Sequence, residues 1–386
     1  MATLANPLKT RSKPQELCEH LQVLAQRLGP GAKFPTVSEI CRQFGVSLGT
    51  LNSALAQLEL QGVVERRHGV GIFVAAHLPV AAPKVLNVAL VCAAWYLRTA
   101  NSPFWNLLLD VANEICASRG LKMSGYLELA QKDGADELSD ALVYNIESGN
   151  IHAVVSIGLV ESAVRWIEAQ GIPVVSYAGH SSCIVVSDSE KICVRAVQKL
   201  KSRGCERIAL WMPILANVPI HNFDGARDTE IKRHETLKNI FSGHGLQWQE
   251  DLYRNLRAEW LAMQPSGENM ANVIPQEKLQ EQGYRLVKEV FSQPRSAWPD
   301  GLFISDDLMT HGALNTWRKL GLEPERDFQV ATHVNAGSPV LAGEDHLLRI
   351  TMHPADIAEA LFVSLEERMK NPLAPAQIVR VPPQDN

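Results

Sequence analysis

The sequence predicts a small α+β head followed by a larger α/β body with two lobes and parallel sheets. Two observations lead to this expectation. Near the N-terminus, three helical periods precede two β-rich runs that flank a glycine loop. From residue 85 onward, β-rich runs alternate with helical periods, a pattern typical of βαβ units. A chain of 386 residues is long enough for two or three domains.

The head begins with a predicted helix over residues 14–28, in which four leucines share one face before a Gly-Pro-Gly run ends it. A second, shorter helix follows Thr36 or Ser38, either of which can cap it, and Gly45 ends it. Ser47 starts a third helix with leucines at helical spacing. Two helices joined by a turn as short as Gly-Val-Ser predict a helix-turn-helix.

A hairpin follows the third helix. Its two β-rich runs are residues 63–67 and 72–74, and the glycine-containing loop between them is residues 68–71. This hairpin is the expected wing, so the head is predicted to span residues 9–75. Residues 76–84, which contain two prolines among small residues, are expected to form a linker.

Charge is divided unevenly along the chain. Residues 1–78 hold eight Lys and Arg side chains against five Glu, a net charge of +3, so a total of −5 leaves −8 for the remainder. A small basic module on an acidic body is typical of a nucleic-acid-binding head on a body that repels phosphate. The surplus gains its weight from coinciding with the helix-turn-helix pattern.

Four segments of the head carry a family resemblance: Pro-Gly-Ala-Lys-Phe-Pro at 30–35, Phe-Gly-Val-Ser at 44–47, Ala-Leu-Ala-Gln-Leu-Glu at 54–59, and residues 64–74. Their order resembles the GntR family of winged-helix transcription regulators. The resemblance implies that the third helix lies in the major groove of double-stranded operator DNA and that the wing tip lies in the minor groove. The implied DNA-binding residues are Lys33, Thr36, Ser38, Ser47, Thr50, Asn52, His68, Gly69 and Gly71.

The head departs from this family at its DNA-facing positions. Where the family usually has arginines in the recognition helix, the chain has Leu48 and Asn52, and Val70 replaces a basic residue of the wing. Arginine bound to guanine is the commonest specific contact, so its absence predicts weaker, less guanine-directed readout, with Asn52 turned to adenine. A head that mainly dimerises or packs is an open alternative.

The body is predicted as two series of strands and helices. The first has strands at 85–90, 121–128, 153–157 and 173–176, with helices at 104–118, 136–148 and 160–169. The second has helices at 189–203, 232–241, 280–291, 309–320 and 355–369, with strands at 207–211, 301–304, 329–332 and 377–381. Residues 85–186 with 352–370 are assigned to lobe 1, and residues 187–348 with 371–386 to lobe 2. Such lobes bind a ligand between them, at the carboxyl ends of their strands.

Six segments of the body resemble the LacI/GalR-type effector domain, which has the periplasmic-binding-protein fold: residues 102–105, 171–175, 186–188, 200–210, 303–314 and 349–354. A GntR-type head on such a body is the arrangement of arabinose-repressor-like regulators. The resemblance implies a small-molecule effector, a sugar or related polyol, held by Asn101, Ser102, Phe104, Trp105, Arg233, Asp306, His333 and Asn335.

Several body residues qualify this site. Val334 stands where the family has an aspartate, and the segment before Thr236 lacks the family's glycine, which favours a small polar ligand over a simple aldose. Asp188 fits a helix cap better than a ligand contact, and Trp211 fits the core better than the cleft. Asp307 remains open between cap and contact.

Composition and motifs exclude several classes of protein. The longest near-apolar run, residues 85–97, is too short to span a membrane, and the N-terminus lacks the apolar core of a signal peptide, so we expect a cytoplasmic protein. The seven cysteines have no metal-ligand spacing, and neither a metal nor a cofactor is expected. The chain lacks a Gly-x-Ser-x-Gly elbow, a Walker loop and a His-Glu-x-x-His motif, so no catalytic residue is assigned.

These observations predict a ligand-responsive bacterial transcription regulator that acts as a repressor and is not an enzyme. Its expected partners are operator DNA, a sugar-like effector and a second copy of the chain, because a homodimer doubles the contacts of one recognition helix. Two alternatives remain open: an α/β enzyme fused to a DNA-binding head, and a sugar-binding protein with a vestigial head.

Overall fold

The computed structural model describes residues 13–67, 69–76, 85–93, 104–128, 138–177, 179–214, 223–264, 278–372 and 374–384. The chain divides into two compact units, a head (Met1–Val85) and a body (Leu86–Asn386). The predicted linker lies outside the described residues except for residue 76.

The head consists of three helices and a hairpin. Helix α1 spans Lys13–Leu28, α2 spans Val37–Phe44 and α3 spans Leu48–Leu60, and the strands are β1 (Val64–Arg67) and β2 (Gly71–Val74). The two strands pair antiparallel, so the expected helix-turn-helix and wing are confirmed.

Local caps fix the turn between α2 and α3. Thr36 and Glu39 form a capping box at the start of α2, and Gly45 ends this helix at a φ of 60°, a conformation that favours glycine. Ser47 caps α3. The inward face of α3 is apolar and fully buried against the other helices, at Leu51, Leu55 and Leu58. This burial leaves the opposite face of α3 exposed.

Lobe 1 of the body contains six strands in the described residues. They are β3 (Asn87–Ala93), β4 (Lys122–Glu128), β5 (Ala153–Ile157), β6 (Val174–Tyr177), β7 (Cys183–Ser187) and β13 (Gln377–Val381). Their order is β13-β7-β6-β5-β3-β4, and all pairs are parallel. The helices of this lobe are α4 (Phe104–Ser118), α5 (Asp140–Glu147), α6 (Glu161–Ala169) and α12 (Pro354–Lys370).

Lobe 2 contains a second parallel sheet. Its strands are β8 (Ile208–Met212), β9 (Tyr253–Asn255), β10 (Gly301–Ile304), β11 (Gln329–Asn335) and β12 (Leu348–Met352), in the order β12-β11-β10-β8-β9. Its helices are α7 (Ser189–Ser202), α8 (Phe223–Gly243), α9 (Leu256–Met263), α10 (Leu279–Phe291) and α11 (Asp307–Lys319). The two-lobe α/β architecture with parallel sheets is therefore confirmed.

The assignment of the closing segment to lobe 2 is wrong. Strand β13 pairs with β7 from Gln377↔Cys183 to Val381↔Ser187, which places it in the sheet of lobe 1. The buried Arg368 of α12 holds this arrangement, because it donates to the carbonyls of Ser182, Ala374 and Pro375.

The chain crosses between the lobes at two places in the described residues. It passes from β7 to α7 at Asp188, and it returns from β12 to α12 at His353. Residues after β13 connect these crossings: the N–H of Asp188 donates to the Val381 carbonyl at 2.8 Å, and Gln384 bridges to Thr351.

Two side chains with an expected structural role have that role. Asp188 accepts from the N–H of Lys191 at 3.0 Å and caps α7. Trp211 is fully buried and stacks on Trp317, with ring centroids 6.2 Å apart.

Helices α10 and α11 cross in direct backbone contact. A Cβ atom placed on Gly312 would lie 2.0 Å from the carbonyl oxygen of Gln280, and one on Gly283 would lie 2.1 Å from that of Met309. Only glycine allows this approach, and it sets the position of α11 on the sheet.

Candidate functional site

The exposed face of α3 is the candidate DNA-binding surface. It presents Leu48, Gly49, Asn52, Ser53, Ala56 and Gln57. The Ser47 hydroxyl accepts from the N–H of Thr50 at 3.1 Å and lies 2.9 Å from its hydroxyl, so these two predicted DNA contacts also form the helix cap. Leu48 is 57% exposed. None of these six side chains is charged, and α3 contains no Lys or Arg.

The other predicted DNA-binding residues lie around this face and on the wing. Thr36 is engaged in the capping box, where its N–H donates to Glu39 at 2.7 Å, and Ser38 is exposed in the first turn of α2. Gly69 and Gly71 lie in the wing turn, where Gly71 approaches the side chain of Lys33. His68 lies outside the described residues.

Two wing arginines that sequence reasoning did not assign to the site border the recognition helix. Arg66 pairs with Glu59 at 3.4 Å and also donates to the carbonyl of Asn52 at 3.4 Å. Arg67 pairs with Glu65 at 3.1 Å and lies 4.5 Å from the centre of the Phe73 ring. Exposed ion pairs of this kind contribute about 0–1 kcal/mol, so phosphate can replace either carboxylate at little cost. Their position in a Glu-Arg-Arg run of the wing was the available signal.

In lobe 1, the predicted aromatic contacts are core residues in this structure. Phe104 and Trp105 begin α4 and are 7% and 5% exposed. Their rings lie 5.6 and 5.8 Å from that of Tyr177, which ends β6. The cluster therefore forms the floor at the carboxyl ends of these strands. Asn101 and Ser102 lie outside the described residues.

In lobe 2, Asp306 and His333 lie at the carboxyl ends of β10 and β11. Asp306 caps α11 by accepting from the N–H of Met309 at 2.8 Å. Burial, together with the adjacent Asp307 charge, raises the pKa of Asp306 to about 7. Burial lowers the pKa of His333 to about 4, although a hydrogen bond with the Ser305 backbone opposes this shift. His333 is therefore neutral near pH 7, whereas Asp306 becomes neutral as the pH falls below its pKa of about 7.

A cavity of about 280 Å³ opens beside these residues, at the carboxyl ends of β11 and β12. Of the predicted ligand residues that the structure describes, only Asn335 lines it. Asp307 does so too, and it accepts from the Ser338 hydroxyl at 3.0 Å, so this residue is a cavity residue while Asp306 provides the cap. The remaining polar lining comes from Ser338, Arg349, Thr351 and His353. Sequence reasoning missed these four: Arg349 and Thr351 lie within β12, and Ser338 and His353 follow β11 and β12.

Arg233 lies apart from the cavity. It pairs with Glu230 at 3.0 Å, and the same carboxylate binds Arg257 at 3.2 Å and the Asn255 amide at 2.8 Å. Asn255 ends β9, on the opposite side of the sheet from β12. The structure therefore brings Asp306, His333 and Asn335 to one region and places Arg233 in another.

Comparison with known families decides the nature of the head. Residues 19–74 match the model of the bacterial regulatory proteins of the gntR family. The head is thus similar to the winged helices of that family. The gntR-type match ends where β2 ends, at Val74.

Solved structures that align with most of the chain share its fold. A transcriptional regulator CelR–cellobiose complex aligns at a TM-score of 0.55 and 16% identity, over 91% of this chain and 98% of its own. A LacI-family regulatory protein from Chloroflexus aggregans aligns at a TM-score of 0.56 and 14% identity, over 77% of this chain and 95% of its own. The lac repressor dimer bound to operator and the anti-inducer ONPF aligns at a TM-score of 0.52 and 12% identity, over 78% of this chain and 92% of its own. At these identities the structural alignments show the fold alone: the body has the fold of LacI-family regulators.

No match is found among curated proteins. No helix in the described part of the chain is long and apolar enough to cross a membrane.

Proposed function

We propose that this protein is a ligand-responsive bacterial transcription regulator, acting as a repressor, that binds operator DNA through its head and a small polar effector in its body. The observation that carries the proposal is the union, in one chain, of a gntR-type winged helix with a body that has the fold of LacI-family regulators. The proposed units are the head to residue 75, the linker at 76–84, and the body beyond it.

The DNA-binding surface is the exposed face of α3 with the wing. Asn52 reads a base edge in the major groove, while Ser47, Thr50 and Lys33 contact the backbone. Thr36 and Ser38 lie at the N-terminus of α2, where backbone N–H groups favour phosphate. The wing tip, with His68, Gly69 and Gly71, approaches the minor groove, and Arg66 and Arg67 exchange their carboxylate partners for phosphate.

The effector site lies at the carboxyl ends of the strands of both lobes. The cavity beside Asn335 and Asp307 provides hydroxyl, amide and carboxylate groups that suit a polyol. Asp306 and His333 border it, and Phe104 and Trp105 support the facing lobe. Solved relatives with this fold are described with cellobiose and with ribose bound, which favours a sugar-like effector.

The functional unit is a homodimer. One recognition helix covers too few base pairs for a specific site, and a two-fold partner doubles the contacts. The lac repressor that aligns with this chain is described as a dimer on operator. Because the aligned structures are transcription regulators, we also propose that the body has no enzymatic activity.

The test uses the full-length protein. Genomic fragments bound by the protein are selected and sequenced, and sugars and polyols are screened for those that raise its melting temperature. The selected duplex is then titrated with and without each stabilising compound. We expect an enriched near-palindromic sequence and a change in operator affinity of about five- to 150-fold.

Two results would favour the alternatives instead. A compound that stabilises the body without any enriched DNA sequence would indicate a sugar-binding protein with a vestigial head. Chemical conversion of the stabilising compound in the presence of the protein, detected by NMR, would indicate a fused enzyme.

A further inference from the structure

A second polar cluster in lobe 2 lies outside the cavity. It consists of Glu230, Arg233, Arg257 and Asn255, and it is named the Glu230 cluster. Both carboxylate oxygens of Glu230 receive Nη1 of Arg233, at 3.0 and 3.1 Å, and one of them also receives Nη1 of Arg257 at 3.2 Å. Glu230 is 4% exposed, whereas each arginine is 33% exposed. One buried carboxylate thus anchors two arginines that reach the surface.

The cluster lies at the carboxyl end of the sheet of lobe 2. Asn255 is the last residue of β9 and caps α9, where it accepts from the N–H of Ala258 at 3.1 Å. Arg257 is the second residue of that helix. Ligands of open α/β sheets bind outside the carboxyl ends of the strands, which is the side the cluster occupies.

The charges of the cluster do not balance. Two guanidinium groups share one carboxylate, and in the described part of the chain neither arginine has another ion-pair partner. Burial lowers the pKa of the Arg257 guanidinium, and the neighbouring Arg233 charge lowers it further, while Glu230 raises it. A half-buried excess of positive charge is costly unless an anion neutralises it.

The donors of the two arginines are largely uncommitted. Arg233 and Arg257 each use only Nη1, which leaves Nε and Nη2 of both groups without a protein acceptor in the described residues. Arg368 shows the contrast, because both of its Nη atoms are used on three carbonyls that close the sheet of lobe 1. In the described residues Arg368 leaves its Nε alone without an acceptor, whereas Arg233 and Arg257 each leave both Nε and Nη2.

We propose that Arg233 and Arg257 together bind an anionic oxygen group, a carboxylate or a phosphate, and that the effector is therefore an acidic or phosphorylated sugar-like molecule. Planar guanidinium groups match both anions in a forked geometry. The proposal rests on the proposed ligand-responsive function and specifies its ligand class: the anionic group of the effector binds at the Glu230 cluster, and its hydroxyl groups bind toward the cavity beside Asn335. Glu230 positions the two arginines and does not contact the anion.

The test measures the melting temperature of the full-length protein in phosphate and in acetate, each against chloride at equal ionic strength. Arg257→Gln removes the charge. Arg254→Gln is the matched control, because Arg254 lies three residues away and pairs with Glu289 at 3.3 Å. We expect phosphate or acetate to stabilise the wild type and the control beyond chloride. We expect Arg257→Gln to lower the affinity for the anion by about ten- to 100-fold, because one or two charge-assisted hydrogen bonds are lost.

A second measurement does not depend on the variant folding. Phenylglyoxal modifies exposed arginines, and mass spectrometry of wild-type peptides then compares Arg257 with Arg254. Phosphate should protect Arg257 and leave Arg254 reactive. The proposal is overturned if neither anion stabilises the protein beyond chloride, if Arg257→Gln keeps the full effect, or if both arginines are protected alike.

Matched sugars separate this proposal from the proposed function. Glucose, glucuronate and glucose 6-phosphate differ in their anionic group, and the two charged sugars distinguish a carboxylate from a phosphate preference. If a neutral sugar shifts operator affinity while neither anion acts through Arg257, the ligand-responsive regulator stands and the anion site is wrong.

Discussion

Replacing Gly312 with alanine should destabilise lobe 2 markedly. The added Cβ would lie 2.0 Å from the Gln280 carbonyl oxygen and 2.6 Å from two further backbone atoms, so α10 and α11 must separate by at least 1 Å to restore an allowed contact. Alanine favours a helix over glycine by about 1 kcal/mol, which opposes this cost. Overpacking costs about 1–3 kcal/mol when side chains can adjust, and here the clash is with backbone, so we expect a net loss of about 3 kcal/mol.

Urea unfolding, followed by the tryptophan fluorescence of Trp211 and Trp317, measures this loss. At about 2–4 °C per kcal/mol, the melting temperature of the body should fall by about 6–12 °C. Gly243→Ala is the control, because Gly243 is the last residue of α8 and a Cβ there meets no atom within 4 Å. The reasoning is refuted if Gly312→Ala is as stable as Gly243→Ala. Retained stability would mean that the two helices separate at no cost.

Three further outcomes are expected. Asn52→Ala should cost about 1–3 kcal/mol of DNA-binding free energy and relax the preference at one base pair, whereas Lys33→Ala should weaken binding to all sequences alike and reduce the salt slope by about one. DNA titrations at several salt concentrations distinguish the two variants, and identical behaviour would contradict the assignment of Asn52 to the major groove. Arg368→Ala should cost about 3 kcal/mol in urea unfolding because three carbonyls lose their donor, and a loss below 1 kcal/mol would contradict its role. The raised pKa of Asp306, about 7, means that its stabilising contribution is full below its unfolded pKa near 3.8 and is lost as pH rises to 7. The difference in unfolding free energy between wild type and Asp306→Asn should decline over that range, and a flat difference would contradict the shift.

The head was predictable because its signals are local. Thr36, Gly45 and Ser47 act within one or two turns of their own positions, and the leucines of α3 follow one helical period. Each of these residues works as a cap or a core contact whatever the rest of the chain does. The outward face is equally readable, since burial of Leu51, Leu55 and Leu58 leaves Leu48 and Asn52 exposed.

The body was predictable in its long helices and less so in its short strands. Strand β9 has three residues, and β12 mixes Arg349 and Thr351 with its apolar residues, so neither gives a clear pattern. The place of β13 depends on pairing with residues almost two hundred positions earlier, which no local pattern encodes. The expected helix at 232–241 is part of a 21-residue helix whose first half is polar.

The candidate site shows the same limit. Asp306 and Asp307 are neighbours with identical side chains, and only the direction of the chain at the end of β10 makes one a cap and the other a cavity residue. Arg257 was missed because its partner Glu230 lies 27 positions away, on another helix. Residue type and spacing therefore identified the edge of the sheet where polar side chains gather, but not which of these side chains lie together along that edge.

The segment that follows β13 constrains how the lobes move. Val381, the last residue of β13, bonds to Asp188 at one interlobe crossing, and Gln384 bonds to Thr351 beside the other. Because these two residues are three positions apart, the two contacts lie at most about 10 Å apart along the segment. These two contacts favour rotation of the lobes about a single hinge axis over translation of one lobe along the other. A molecule that bridges the lobes therefore changes one angle, and a change at Gln384 or Val381 would alter the stiffness of that swing without touching either lobe's core.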